Sequence, residues 1–199
     1  MILTLVVAAV QQLVFSSDLL ANFEPTVTER RAQEKGTATV RIHDTRSTTS
    51  KVVQGELLVR APVRVVWGVV TDYSYYPRLF SRMLRSEVRQ QAGDWEEHYS
   101  LVQYPWPYGP RWVLTTIHHD NEQQTVRFRR LDGTIRELEG IWQMREHQLG
   151  ARLQYAVRLD PGLPFIPSWI ITWGTSFMLP DILRSVKTEA ERRNSKQSP

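Results

Sequence analysis

Residues 55–87 read GELLVRAPVRVVWGVVTDYSYYPRLFSRMLRSE and decide the fold. The stretch opens as an apolar strand and changes after Pro62 into a helical pattern, in which Val66, Trp67 and Val70 share one apolar face. A turn rich in Tyr and Pro ends this helix, and a second strand pattern follows. The stretch therefore predicts a strand, short helices and a further strand in that order.

Alternation with a period of two residues, which is typical of half-buried strands, surrounds this stretch. It is clearest where Leu153, Tyr155 and Val157 alternate with Arg152 and Gln154. Similar patterns occur at 38–43, 53–59, 84–90, 95–103, 111–119, 125–131 and 135–146. Turn residues separate them, so we predict about seven or eight antiparallel strands joined by short turns.

The C-terminal part predicts one long helix. Ser168 is suited to cap its start, and Trp169, Trp173 and Phe177 follow at positions i, i+4 and i+8. Pro180 should kink the helix, and an apolar stripe continues beyond it. We therefore predict an α+β fold in which a curved antiparallel sheet wraps around a long C-terminal helix.

Composition narrows the class of protein. A length of 199 residues suggests one domain plus an extra segment, since domains average roughly 150 residues. The absence of Cys excludes disulfides, thiolate zinc sites, iron–sulfur clusters and cysteine nucleophiles. The 7 Trp, 7 Tyr and 6 Phe indicate a bulky core or an aromatic-lined pocket.

The N-terminus is predicted to lie outside the main domain, which we place at 37–194 before a tail at 195–199. Residues 1–21 are mostly apolar, but their apolar run, 1–10 extended by 13–15, is shorter than the about 20 consecutive apolar residues that span a bilayer. Two interpretations stay open for them: a signal or anchor for export or membrane association, or an apolar helix docked on a cytoplasmic domain. Residues 22–36 are polar and are predicted to be a linker.

Three stretches resemble the START-like (SRPBCC) superfamily. Residues 55–87 resemble its polyketide cyclase/dehydrase branch in the order "AP…VW.V.TDY..YP", followed by a strand that opens on Ser86-x-Val88. YPWPYGPR at 104–111 resembles the Pro-rich bend of these proteins, and PGLPFIPSWIITW with LPDILR, within 161–184, resembles their closing helix. A ubiquinone-binding START-like branch is a second candidate.

The resemblance implies a helix-grip fold with a cavity for an apolar or amphipathic small molecule, such as a lipid, a quinone or a polyketide-like compound. Members that catalyse cyclisation or dehydration place acid–base groups in the cavity, but no position here matches such a motif residue by residue. We therefore expect binding or transport, without a cofactor and without an assigned catalytic residue. A polyketide cyclase or dehydratase and a non-catalytic assembly module stay as alternatives.

Candidate ligand contacts come from the inward strand positions, the closing helix and one bend. They are Tyr73, Tyr76, Phe80, Tyr99, Trp106, Arg111, Trp142, Tyr155, Trp169, Trp173 and Phe177. Each aromatic side chain alone could simply fill the core, but a sheet curved around one helix leaves space that the set would line. The Arg111 guanidinium could anchor an acidic or carbonyl head group, or form a structural ion pair.

The other polar residues predict neither catalysis nor a metal site. His118 and His119 are adjacent on a strand and point to opposite faces, so they cannot share a metal. His98 is expected to point outward. Glu137 and Glu139 share one face and are expected to face water rather than to act as an acid–base pair.

The net charge of +4 permits an anionic partner without requiring one. Arginines on neighbouring strands could form a positive face for nucleic acid or anionic lipid. Interleaved glutamates dilute that face, so we expect no nucleic-acid partner. Contact with a membrane surface stays open, because residues 1–21 would supply a second attachment signal.

Overall fold

The computed structural model describes residues 15, 19–21, 23–45, 49–104, 106–163 and 168–197, of which 168–178 are described by their backbone alone. The described helices are α1 (Val27–Glu34), α2 (Val63–Val70), α3 (Tyr76–Leu79) and α4 (Ser168–Gln197). The described strands are β1 (Thr39–Asp44), β2 (Lys51–Val59), β3 (Met83–Ala92), β4 (Trp95–Gln103), β5 (Pro110–Asp120), β6 (Thr125–Gly133), β7 (Glu137–His147) and β8 (Gly150–Asp160).

The strands form one 8-stranded antiparallel sheet in the order β1-β2-β8-β7-β6-β5-β4-β3. The chain leaves β2 near one edge, and α2, a 3-10 turn at Tyr73–Tyr75 and α3 carry it to β3 at the opposite edge. Strands β3 to β8 then return as neighbours joined by short turns, until β8 pairs with β2. The predicted α+β helix-grip fold is confirmed.

The alternation in β8 places its apolar side chains on the face that α4 covers. Leu153 and Val157 are buried there, and Tyr155 lies between them, opposite Trp142 of β7 and Gly55 of β2. A strand that buries one face requires this alternation, because successive side chains point to opposite faces of the sheet.

Helix α4 packs closely on β2 because β2 carries Gly55. A Cβ at this position would lie 2.6 Å from Cδ1 of Leu183 and 3.1 Å from Cδ2 of Leu179, so a larger residue would force these side chains to shift. Leu183, Val186 and Ala190 are completely buried along this contact. The helix is continuous through Pro180.

The structure differs from the linker predicted at 22–36, because α1 lies within it. Thr26 and Glu29 form a capping box: the Glu29 amide donates to Thr26 Oγ1 at 3.2 Å, and the Thr26 amide donates to Glu29 Oε2 at 2.6 Å. Gln33 is buried and donates to Thr39 Oγ1 at 2.9 Å, which ties the helix to β1. The residues were predicted to be a linker because they lack an apolar stripe, but polar contacts hold this helix in place.

The chain preceding α1 contacts the sheet where it is described. Phe15 stacks on Trp95 of β4 with ring centroids 5.9 Å apart, and Gln54 of β2 donates to the Leu19 carbonyl at 2.7 Å. Residues 1–14 lie outside the described residues, so the predicted signal or anchor stays a prediction. In the part of the chain that the structure describes, no helix is long and apolar enough to cross a membrane.

Candidate ligand cavity

A cavity of about 250 Å³ lies between the concave face of the sheet and α4. Its wall is mainly apolar and includes Val113, Ile117, Val126, Leu138 and Leu159. An apolar cavity of about 150 Å³ is large enough to bind benzene. This cavity therefore has room for a larger apolar body.

Aromatic side chains from two separate parts of the chain meet in the cavity wall. Tyr73, Tyr76, Phe80, Trp142 and Tyr155, all predicted as ligand contacts, line it. The rings form two contact sets, with centroids 5.2 Å apart for Tyr73 and Tyr76 in one and 4.1 Å apart for Trp142 and Tyr155 in the other. The helical turns after α2 supply the first three residues, and the cross-strand pair between β7 and β8 supplies the other two.

Tyr99 is not part of the cavity, although we predicted it to be. Its ring stacks on Trp112 with centroids 6.0 Å apart, and the Arg89 guanidinium lies 5.0 Å from its centre, both away from α4. The neighbouring His98 faces the cavity instead and is 4% exposed, so the prediction that His98 points outward is wrong. The sequence was misleading because two of the inward positions of β4, His98 and Ser100, are polar.

Trp106 and Arg111 lie outside the cavity wall as the structure defines it. Trp106 is 92% exposed. Arg111 Nη1 donates to the Thr134 carbonyl at 3.5 Å, and its buried Nε has no hydrogen-bond partner among the described residues. The Arg111 charge still affects Tyr104, which lines the cavity. Burial raises the pKa of Tyr104 to about 12, and the Arg111 and Arg82 guanidiniums act to lower that pKa.

Three predicted contacts on α4 lie outside the described side chains. They are Trp169, Trp173 and Phe177. Their role as ligand contacts stays a prediction.

The polar part of the wall centres on His98. Ser86 Oγ donates to the Tyr73 carbonyl at 2.6 Å and lies 2.7 Å from His98 Nε2. Because that hydroxyl has only one proton, Nε2 carries the hydrogen and donates to Ser86, which leaves Nδ1 to accept from Ser100 Oγ at 3.3 Å. Burial lowers the pKa of His98 to about 4, which keeps the ring neutral.

A second polar contact joins Tyr73 to β5. Tyr73 Oη lies 2.8 Å from Nε2 of His119. Burial raises the pKa of Tyr73 and lowers that of His119, so both groups are held in their uncharged forms. Sequence reasoning found Tyr73 but not His119, because one histidine in an alternating strand carries no signal for its partner.

Glu139 differs from the prediction that both glutamates face water, whereas the Glu137 side chain is 41% exposed. Glu139 is 5% exposed and its Oε2 lies 3.4 Å from Arg158 Nη1, while Glu137 accepts from Ser50 Oγ at 2.7 Å. The intervening Leu138 lines the cavity, so the two carboxylates lie on the other face of the sheet. Among the described residues no group of three or more His, Cys, Asp or Glu side chains could hold a metal ion.

Comparison with known proteins identifies the family. The model of "Polyketide cyclase / dehydrase and lipid transport" proteins matches residues 59–187, from the end of β2 to the middle of α4. The chain belongs to this family. The predicted START-like relationship is thereby confirmed, in the polyketide cyclase/dehydrase branch of the two that the sequence suggested.

Relatives agree with this assignment. The START-like domain is 27% identical to a protein of Streptomyces cyaneus named "Putative polyketide cyclase", over 104 residues that make up 51% of this chain and 68% of the relative. The crystal structure of a STAR-related lipid transfer protein from Xanthomonas axonopodis superposes with a TM-score of 0.67 at 19% identity, covering 77% of this chain and 93% of that one.

A second solved structure, the Zhui aromatase/cyclase from Streptomyces sp. R1128, matches the START-like domain with a TM-score of 0.63 at 16% identity. It covers 72% of this chain and 95% of that one. At such identities these likenesses show the fold alone.

The site residues that sequence reasoning missed are mainly polar. His98, Ser100, Tyr104 and Thr115 line the cavity of the START-like domain, and Ser86 lies behind the wall, where it is hydrogen-bonded to His98. Ser86 belongs to the motif that carried the resemblance, which was the only available signal. The others stand at positions where a polar residue usually predicts the solvent face of a strand.

Proposed function

We propose that this domain binds one small, predominantly apolar molecule in the cavity and carries it without chemical change. The observation that supports this most is the composition of the cavity wall. Most of its surface is apolar, and His98 and Ser86 already have hydrogen-bond partners within the protein. The description of the family includes lipid transport, which agrees with such a role.

The proton arrangement at His98 argues against base catalysis. A serine nucleophile needs a base that accepts its proton, but the Ser86 proton is donated to the Tyr73 carbonyl. In addition, a base works best when its pKa lies near the working pH, and the pKa of His98 is lowered to about 4. The pair therefore serves to satisfy buried polar groups rather than to activate Ser86.

The cavity mouth favours an amphipathic ligand. Ser81, Arg82 and Asp181 are exposed and line the cavity, and Arg111 lies close enough to influence Tyr104. Among the described side chains, neither Arg82 nor Arg111 forms a salt bridge, whereas Asp181 is paired with Arg184 at 2.9 Å. An acidic or carbonyl head group would therefore meet positive charge there.

A second candidate function is cyclisation or dehydration of a polyketide-like substrate. The named relative favours it, and Tyr73 is the wall residue with suitable chemistry, since its hydroxyl is held by His119. Burial raises the pKa of Tyr73, so this phenol would act as a proton donor rather than a base.

The first test is ligand binding by purified full-length chain. We expect native mass spectrometry to show a bound small molecule, and we expect 1-anilinonaphthalene-8-sulfonate, an apolar ring system with an anionic head, to bind with increased fluorescence. Leu138→Trp should fill the cavity and abolish this binding. The matched control Leu149→Trp changes a residue that is 52% exposed and should leave it intact.

Equal probe binding by wild type and Leu138→Trp, with the fold intact by circular dichroism, would refute the carrier proposal. Recovery of the natural ligand in a chemically altered form after incubation would favour the second function instead.

A further inference from the structure

Tyr155 carries a hydroxyl group that has no hydrogen-bond partner among the described residues. The residue is 8% exposed and lines the cavity, and its ring is packed against Trp142 and Phe128 with centroids 4.1 Å and 6.1 Å away. Among the residues that the structure describes, none forms a hydrogen bond with Tyr155 Oη. The oxygen is not among the fully buried unpaired side-chain atoms of the described residues, so it retains accessible surface at the cavity wall.

Tyr76 provides the comparison. It lines the same cavity and is also 8% exposed, but its hydroxyl donates to the Val70 carbonyl at 2.5 Å. The rings that enclose Tyr155 offer no carbonyl or amide of this kind. One cavity phenol is therefore satisfied by the protein, and the other is left with its hydrogen-bonding capacity unused.

Packing alone does not account for the Tyr155 hydroxyl. A Phe at this position would make the same ring contacts with Trp142 and Phe128, so the ring packing does not require the hydroxyl. Burial raises the pKa of Tyr155, so the group stays protonated and is a hydrogen-bond donor at neutral pH. No described residue accepts a hydrogen bond from the Tyr155 hydroxyl, so a ligand bound in the cavity can supply the acceptor.

We propose that Tyr155 determines ligand specificity by donating a hydrogen bond to a carbonyl or hydroxyl oxygen of the bound molecule. Tyr155 packs on the rings of Trp142 and Phe128, so the wall around its hydroxyl is aromatic and suits a ligand that contains a ring. A molecule that carries an oxygen within reach of Tyr155 should therefore bind more tightly than a hydrocarbon of the same shape. This inference rests on the proposed carrier function.

The test compares two probes that differ by one hydroxyl group, naphthalene and 2-naphthol, by equilibrium dialysis against the full chain. We expect wild type to bind 2-naphthol about fivefold more tightly than naphthalene, which is the effect of one typical hydrogen bond. In Tyr155→Phe this ratio should fall to about one or below, with naphthalene binding unchanged. Tyr99→Phe removes a hydroxyl outside the cavity and should keep the wild-type ratio.

Thermal melting supplies an independent readout. Tyr155→Phe should melt at or above the wild-type temperature, because its hydroxyl bonds no described residue, whereas Tyr76→Phe should melt lower, because it removes the bond to Val70. A lower melting temperature for Tyr155→Phe would overturn the inference, and so would an equal probe ratio in wild type and Tyr155→Phe. Failure of wild type to bind either probe would instead overturn the carrier function and this inference with it.

Discussion

Ser86 and His98 form a buried pair, 2.7 Å apart from Oγ to Nε2, in which the serine accepts the hydrogen bond rather than giving up its proton. The order of the hydrogens follows from the Tyr73 carbonyl, which takes the Ser86 proton at 2.6 Å. The pair thus has the spacing of a nucleophile and its base, but His98 donates the hydrogen bond and Ser86 accepts it.

Acid should destabilise the protein through His98. The ordinary pKa of histidine is near 6.5 and burial lowers that of His98 to about 4, so between these pH values the unfolded chain binds the additional proton. The free energy of unfolding should therefore be highest above pH 6.5 and fall by about 3 kcal/mol as the pH drops towards 4.

The measurement is urea unfolding across that pH range for wild type and for His98→Gln, whose amide can still donate to Ser86. The variant should lose most of the pH dependence. His118→Gln, on the opposite face of the sheet, should keep it. A variant slope equal to that of wild type would mean that His98 already binds a proton in the folded state.

Removing the Ser86 hydroxyl should cost stability. Ser86→Ala leaves the His98 Nε2 hydrogen without its acceptor and the Tyr73 carbonyl without its donor, so we expect the free energy of unfolding to fall by about 1–3 kcal/mol. Ser81→Ala, at the exposed cavity mouth, should change it by less than about 0.5 kcal/mol. Denaturant unfolding of both variants measures the difference, and equal stabilities would contradict the proposed hydrogen-bond order.

Two glycines should respond oppositely to substitution by alanine. At Gly140 a Cβ would overlap the Phe128 ring and lie 2.8 Å from the Ala156 carbonyl oxygen, so Gly140→Ala should destabilise the protein by about 1–3 kcal/mol. At Gly68, inside α2, nothing lies within 4 Å of the new atom, and Gly68→Ala should stabilise the protein by about 0.5–1 kcal/mol. Melting temperatures of the two variants decide this, and changes of the same sign would be inconsistent with the packing at Gly140.

The cap of α1 offers a test of the N-terminal part of the domain. Thr26→Ala removes the side-chain acceptor for the Glu29 amide and should weaken the helix by about 1 kcal/mol. Hydrogen exchange should accelerate at the amides of the first helical turn. Thr28→Ala, exposed inside the same helix, should leave that exchange unchanged, and equal rates in the two variants would argue against a functional capping box.

The order of the elements and the strand alternation could be predicted from the sequence. Period-two alternation depends only on neighbours along the chain, so Leu153, Tyr155 and Val157 were assigned correctly to the face that packs on α4. The same local reasoning placed Trp142 in the cavity wall.

The tertiary structure decided which polar groups face inward. The rule that polar residues point to solvent assigned Tyr99 to the cavity and His98 to water, and the structure reverses both. The rule fails where a cavity replaces a filled core, because Ser86 and Ser100 can then satisfy a buried imidazole. No pattern along β4 alone contains that information.

The stretch at 55–87 predicted a strand, a helix and a strand from short-range apolar spacing and turn residues, and together with 104–111 and 161–184 it suggested the family. It did not determine the site. The pairing of Ser86 with His98 and the unused hydroxyl of Tyr155 depend on strands far apart in sequence meeting around α4, and only the folded sheet brings them together.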